Sequence, residues 1–443
     1  MLKIKNKIII FLFPGLLLAT ACSKMNGPAA LFKKSSPHDV YADNLRSAGL
    51  ERTEMGRQWL NRAVNIAGTA LAIKIPYKET GFFAPEKTQS VTLSFDAVKG
   101  QKINIAVTKK PAVNFNIYAD VFIGAKNGEL DRVAFADTTG TALEYEIDKT
   151  GKYYLRLQPE LLSGGQYTLS ITAGPSLGFP VSALGKPRIG SFYGDGRDEG
   201  NRLHEGIDIF AVKRSPAIAA ANGVVTSVKE NTLGGKVVFM RPDGKDYSLY
   251  YAHLDSQLVN SGQNVRIGDT LGLVGNTGNA RYTPSHLHFG IYTDAGTVDP
   301  IHFVDKDIKM PAQVAAPLNL LNATARVKRD AKILIAPLAT SKSITMLPAN
   351  TPLTINAAAS VFYKVTLPDG RVGYIENKLV ESVSPLRKLV SKSKTLLFNS
   401  PDTSSAVPVA AANLGDKLEV LGTYKSYVLV RLGDNSGWMP LQR

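Results

Sequence analysis

His204-Glu205-Gly206-Ile207-Asp208-Ile209 and, further along, His286-Leu287-His288-Phe289-Gly290-Ile291 decide how this chain is read. In the first stretch Ile207 and Ile209 alternate with small or polar residues, and in the second Leu287, Phe289 and Ile291 do the same. A period of two belongs to a strand with one buried face. It puts His204, Gly206 and Asp208 on the open face of one strand, and His286 and His288 on the open face of another. A helix is a poor alternative for the first stretch, because Gly206 and the β-branched Ile207 and Ile209 all disfavour it. Gly206, lacking a side chain, leaves room between His204 and Asp208, while Glu205 points to the other side. Tyr250-Tyr251-Ala252-His253-Leu254-Asp255 delivers a further imidazole, His253, from the end of a third strand.

Toward the amino terminus, residues 75 to 174 consist of short alternating runs such as Val91-Thr92-Leu93-Ser94-Phe95, Ile103-Asn104-Ile105-Ala106-Val107 and Tyr167-Thr168-Leu169-Ser170-Ile171. Turn residues such as Lys99-Gly100 and Gly164-Gly165 separate them, which is the pattern of an antiparallel β-sandwich. Its closing run, Gly151 to Ile171, resembles the end of bacterial pre-peptidase domains. Residues 23 to 74 read as a Ser-, Lys- and Pro-bearing tether followed by one or two amphipathic helices, with Tyr41, Leu45, Trp59 and Leu60 among their apolar positions. Residues 175 to 310 carry five of the six His, four of them in the motifs quoted above. Beyond Pro317 the chain repeats itself at 64 residues: Ala336-Pro337 recurs as Ser400-Pro401, and Gly373-Tyr374 as Gly437-Trp438. The two copies, 318 to 383 and 384 to 443, resemble a pair of small bacterial SH3-like β-barrels. The expected fold is therefore mostly β and multidomain, with one short helical segment near the amino terminus.

A length of 443 residues is too great for one core. Fifty-two Lys and Arg against 37 Asp and Glu give +15, spread over several segments, which suits an anionic partner such as a membrane surface or a cell wall. No nucleic-acid motif is present, so nucleic acid is not expected, and a monomer is. The lone Cys22 excludes an intrachain disulfide. Lys3, Lys5 and Lys7 precede the apolar stretch Ile8 to Ala21, which is too short to span a bilayer but has the form of an export signal. Ala19-Thr20-Ala21-Cys22 resembles the lipobox of bacterial lipoproteins. That resemblance implies residues 1 to 22 as a signal peptide, acylation of Cys22, and membrane anchoring in the cell envelope.

Three His-bearing strand segments, the first with Asp208 on the same face as its His, fall between residues 204 and 288, and only His38 and His302 lie elsewhere. Such a set fits a centre of three protein ligands with an open fourth position. Residues two apart on a strand are roughly 6.5 Å apart at the backbone, so one of His286 and His288 can hold metal while the other faces substrate. His38 and His302 read as structural or solvent-facing. The strand period also separates this pattern from a helical His-Glu-x-x-His zinc site and leaves Glu205 without the role of general base.

Together with Pro216-Ala217-Ile218-Ala219-Ala220, Tyr251-Ala252-His253-Leu254, Gly262-Gln263, Gly268-Asp269 and Gly275-Asn276-Thr277-Gly278, these segments resemble the LytM or lysostaphin type of zinc peptidase. The resemblance implies an antiparallel-β peptidase domain over 175 to 310, with Zn2+ held by His204, Asp208 and His288. It implies further that His286 and His253 act in catalysis, and that the substrate is the peptide cross-link of bacterial peptidoglycan. Two other functions share the pattern: a zinc protease acting on glycine-rich envelope or foreign proteins, and a non-catalytic activator of other wall hydrolases. The second is met among relatives that have lost ligands, and all five residues are present here.

Overall fold

The computed structural model describes residues 35–124, 128–137, 142–197, 200–402 and 406–441, so Cys22 and the segment around it lie outside the described residues. The fold is mostly β. Its first elements are helical: Pro37–Ser47, opened by a capping box between Ser36 and Asp39 with Pro37 at the first helical position, and Glu54–Arg62, capped by Thr53. The helices lie on the sheet behind them through buried polar contacts. Trp59 Nε1 donates to the Pro159 carbonyl at 2.7 Å, and Gln158 Nε2 donates to the Trp59 carbonyl at 2.8 Å. His38 stacks on Trp59 at 4.7 Å and bonds to Gln158 at 2.9 Å. Burial, with Arg156 beside it, pushes the His38 imidazole down to about 4, so it serves as a neutral core residue.

The runs between 71 and 175 form two facing layers whose inward positions are Phe83, Leu93, Phe95, Ile103, Leu155, Leu169 and Ile171. One layer has the strand order Leu71–Ala72, Val91–Ala97, Gly151–Pro159, Ile117–Gly124, Leu130–Phe135. Its pairing is antiparallel except at the edge, where Leu71 and Ala72 run parallel to Leu93 and Ser94. The other layer, Tyr77–Phe83, Gly165–Pro175, Gln101–Lys110 and Leu143–Glu146, does not stop at its edge. Thr80 and Gly81 pair with Ala358 and Ala357, so the sheet continues into the carboxy-terminal part of the chain and reaches eleven strands.

A buried charge pair sits at this junction. Lys364 Nζ lies 2.7 Å from both oxygens of Glu79, which also accept hydrogen bonds from Tyr77 Oη at 2.6 Å and Tyr167 Oη at 2.7 Å. Glu79 has no exposed surface and Lys364 has 3%. Two ions so far from water are tolerable only when each remaining lone pair is satisfied, as these are. The last strands, Arg387–Val390 to Asn435–Pro440, form a separate six-stranded sheet over Leu397, Leu418, Val420, Val428 and Val430. Its ladder runs from Arg387–Val390 to Pro408–Ala412 without closing. The repeated glycines do the same work in both copies. A Cβ on Gly373 would meet Ile333 Cγ2 at 2.4 Å, and one on Gly437 would meet Leu397 Cβ at 2.7 Å, so each lets a neighbouring strand cross closely.

The segment with the His residues builds its own ten-stranded sheet. The main order is Arg188–Ser191, Ile207–Phe210, His286–Thr293, Tyr247–Gln257, Gly235–Pro242, Gly223–Asn231 and Asn264–Val265. Ile207, Ile209, Leu287, Phe289, Ile291, Tyr251 and Leu254 fill the core on one face, which commits their alternating neighbours to the other. Phe303 packs over Gly100 so closely that a Cβ there would lie 2.3 Å from its ring, which seats this sheet against the sandwich. No described helix is long and apolar enough to cross a membrane.

Candidate metal centre

Asp208 and His288 are directly opposed across an antiparallel pair, in a register that also sets Ile209 against Leu287 and Phe210 against His286. Opposed residues point to the same face, so the apolar partners that enter the core force Asp208 and His288 out together. His204 arrives differently. It precedes the strand Ile207–Phe210 and is held by backbone bonds to the turn before it, His204 N to the Asp195 carbonyl and Gly194 N to the His204 carbonyl, both 2.8 Å. The expected strand face at 204 is thus a loop position fixed by a neighbouring turn. Between them Gly206 has little space: a Cβ there would lie 2.5 Å from the Phe289 carbonyl oxygen and 2.8 Å from His288 Nε2.

Three atoms converge. His204 Nε2, His288 Nδ1 and Asp208 Oδ1 form a triangle with sides of 2.9, 3.0 and 3.1 Å. The other ring nitrogen of His204 lies 2.8 Å from the Phe192 carbonyl. A carbonyl only accepts, so Nδ1 carries the proton and Nε2 presents a lone pair to the other two atoms. Three electron-rich atoms at this separation need a proton or a cation among them. Tetrahedral coordination at bonds of about 2.0 to 2.2 Å has ligand edges of roughly 3.3 to 3.6 Å, so the observed triangle opens to it with small side-chain shifts. Two imidazoles and one carboxylate are also the donor types zinc takes. His204, Asp208 and His288 are the metal-competent group found among the described residues. Burial works against the Asp208 carboxylate, yet the contacts from His204 and His288 outweigh it and hold that group ionised, well below the usual carboxylate range.

His286 and His253 border this triangle. His286 Nδ1 donates to the Pro284 carbonyl at 2.9 Å, which leaves Nε2 as the free lone pair, 3.9 Å from Asp208 Oδ1. His253 Nδ1 donates to the Thr277 carbonyl at 2.9 Å, and its ring lies 5.0 Å from that of His286 and 5.9 Å from that of His288. Burial, with the neighbouring imidazoles His286 and His288, pushes His253 down to about 4, so it is a neutral ring at pH 7.

The placement of His253 was not visible from periodicity. Strict alternation would send it into the core with Tyr251. The strand Tyr247–Gln257 instead shifts register between its pairings at Tyr251 and Leu254, and His253 takes a positive φ of 61°. An imidazole in the left-handed region costs about 1 to 2 kcal/mol, a strain carried by the flanking ladder. His302, in the short helix Ile301–Val304, and the buried His38, in the helix Pro37–Ser47, both lie apart from this group.

One neighbour escaped the sequence reading. Arg197, in the short strand Gly196–Arg197, puts Nη2 2.7 Å from Asp208 Oδ2 and 2.7 Å from Ser191 Oγ. Nothing in period or spacing marks it, because it acts from a hairpin whose contacts are set by folding.

Residues 202–300 match the model of Peptidase family M23. The L-Ala--D-Glu endopeptidase of Bacillus subtilis is 37% identical over 129 residues, 27% of this chain and 39% of that protein. The peptidoglycan DD-endopeptidase ShyC of Vibrio cholerae is 36% identical over 103 residues, 22% of this chain and 23% of that protein. Among solved structures, that of LytU is 36% identical and covers 26% of this chain and 83% of that one, with a TM-score of 0.25. The matched part thus spans well under half the length of these curated relatives.

Proposed function

We propose that this protein is a zinc-dependent endopeptidase that hydrolyses the peptide cross-links of bacterial peptidoglycan. The observation that carries the reading is the convergence of His204 Nε2, Asp208 Oδ1 and His288 Nδ1 within 3.1 Å, beside two further imidazoles each left with an unused ring nitrogen by a carbonyl contact. The Peptidase M23 match over 202–300 supports the reaction class, and relatives whose names specify wall peptide bonds support the substrate class.

His204, Asp208 and His288 would hold zinc, whose positive charge would polarise the scissile carbonyl and acidify the attacking water. The chain's own groups do the rest. His286 Nε2, whose opposite nitrogen is committed to Pro284, is the base that takes the water's proton. His253, whose Nδ1 proton is committed to Thr277, presents a bare Nε2, and it stabilises the oxyanion or serves the leaving amine only as the imidazolium formed when Nε2 takes up a proton in the site. Glu205 is exposed and outside the triangle, and takes no part. Cys22, acylated, would tether the enzyme to a membrane face in the envelope, and +15 of net charge favours an anionic wall.

The roles separate by mutation. His286→Ala should keep stoichiometric zinc and lose turnover by at least about a hundredfold, the scale of one general base. His204→Ala and Asp208→Ala should lose the metal itself. Metal content measured beside hydrolysis decides between them, and full activity in zinc-replete His286→Ala would overturn the assignment.

A further inference from the structure

Asp208 offers one oxygen to the ligand triangle. Its second oxygen is already taken, since Arg197 Nη2 donates to Oδ2 at 2.7 Å. The same nitrogen donates to Ser191 Oγ at 2.7 Å, so both its hydrogens are used. Ser191 Oγ in turn donates to Asp195 Oδ2 at 2.7 Å, and Asp195 Oδ2 accepts from Phe192 N at 2.8 Å. Phe192 is the residue whose carbonyl fixes the His204 ring at 2.8 Å. One short turn, 191 to 197, therefore ends on two of the three candidate ligands, and Arg197 is the link to the carboxylate.

We infer that Arg197 is a positioning residue that makes Asp208 a one-oxygen ligand and joins it to the turn that orients His204. This rests on the metal-centre reading above. A carboxylate with two free oxygens can swing to bind an ion through both, which fills the open position that substrate needs. Arg197 prevents this by holding Oδ2 in a charge-assisted hydrogen bond. Its positive charge also opposes electron donation from Asp208, so the guanidinium gives up some metal affinity and keeps the bound ion more electrophilic. A residue that only buttressed the fold would not have this signature.

Cobalt(II) in place of zinc makes the coordination visible, because its visible absorption is strong at four ligands and weaker at five. The test uses the full chain loaded with cobalt, with Arg197→Met to remove the donor at similar volume and Arg197→Lys to restore an ammonium. The Arg197 side chain is 28% exposed, so its loss leaves no core cavity; Arg197→Gln serves should the Met variant not fold. The expected result is a weaker cobalt absorption in Arg197→Met, recovered in Arg197→Lys. In the zinc forms kcat should fall at least about tenfold with KM within about twofold, the scale of an outer-shell partner. An Arg197→Met spectrum identical to the parent's would overturn the inference. A parent chain that binds neither cobalt nor zinc would overturn the metal centre itself, a distinct outcome.

Discussion

At the level of single residues, the centre depends on close approach as much as on ligand chemistry. Gly206 is the clearest case, because its missing Cβ is the space that the Phe289 carbonyl and the His288 ring occupy. Backbone cannot yield there, so Gly206→Ala should push His288 aside and weaken zinc binding by about tenfold or more. Glu205→Ala, one residue away and exposed, should leave zinc content and turnover within about twofold. Zinc retained after dialysis against a chelator buffer checks both, and a Gly206→Ala protein that holds zinc like the parent would remove the steric argument. Much of this was legible: alternation around Ile207 and Ile209 and around Leu287 and Phe289 put Asp208 and His288 on one face, and the register agrees. His204 and His253 were less so, because one is set by a turn and the other by a bulge, and neither leaves a mark in hydrophobic period.

At the level of elements, the unexpected feature is the joint between Tyr77–Phe83 and Pro352–Ala359. Alternation places Glu79 on the inward face with Tyr77 and Phe83, so the sequence does signal a buried carboxylate. It cannot say that the counter-ion stands 285 positions later. Lys364→Met would leave Glu79 and two tyrosine hydroxyls around an uncompensated buried charge, a defect worth about 3 to 5 kcal/mol. Denaturant unfolding should show that loss, with the zinc site intact in the folded fraction. A change below about 1 kcal/mol would mean the joint is dispensable. The same contact bears on the carboxy-terminal repeats. The first of them is continuous with the sandwich sheet, so a chain ending near Pro311 should also lose stability, by stripping a partner strand and a counter-ion from the sandwich.

At the level of the whole molecule, the described chain combines a sandwich and repeat sharing one long sheet, a separate last sheet, and the sheet of the candidate metal centre, packed against the sandwich through Phe303. The mostly β character was readable from short alternating runs, while the sharing of a sheet across distant segments is a tertiary choice that local pattern does not encode. The candidate metal ligands and the imidazoles beside them all lie in or next to one sheet. The most direct measurement is therefore made on purified peptidoglycan sacculi with the zinc-loaded full chain, with and without a chelator, reading the released muropeptides by mass spectrometry. Soluble fragments newly cut at peptide bonds of the cross-links are expected, abolished by the chelator and restored by added zinc. Intact sacculi with a zinc-replete protein, or release indifferent to the chelator, would contradict the proposed function.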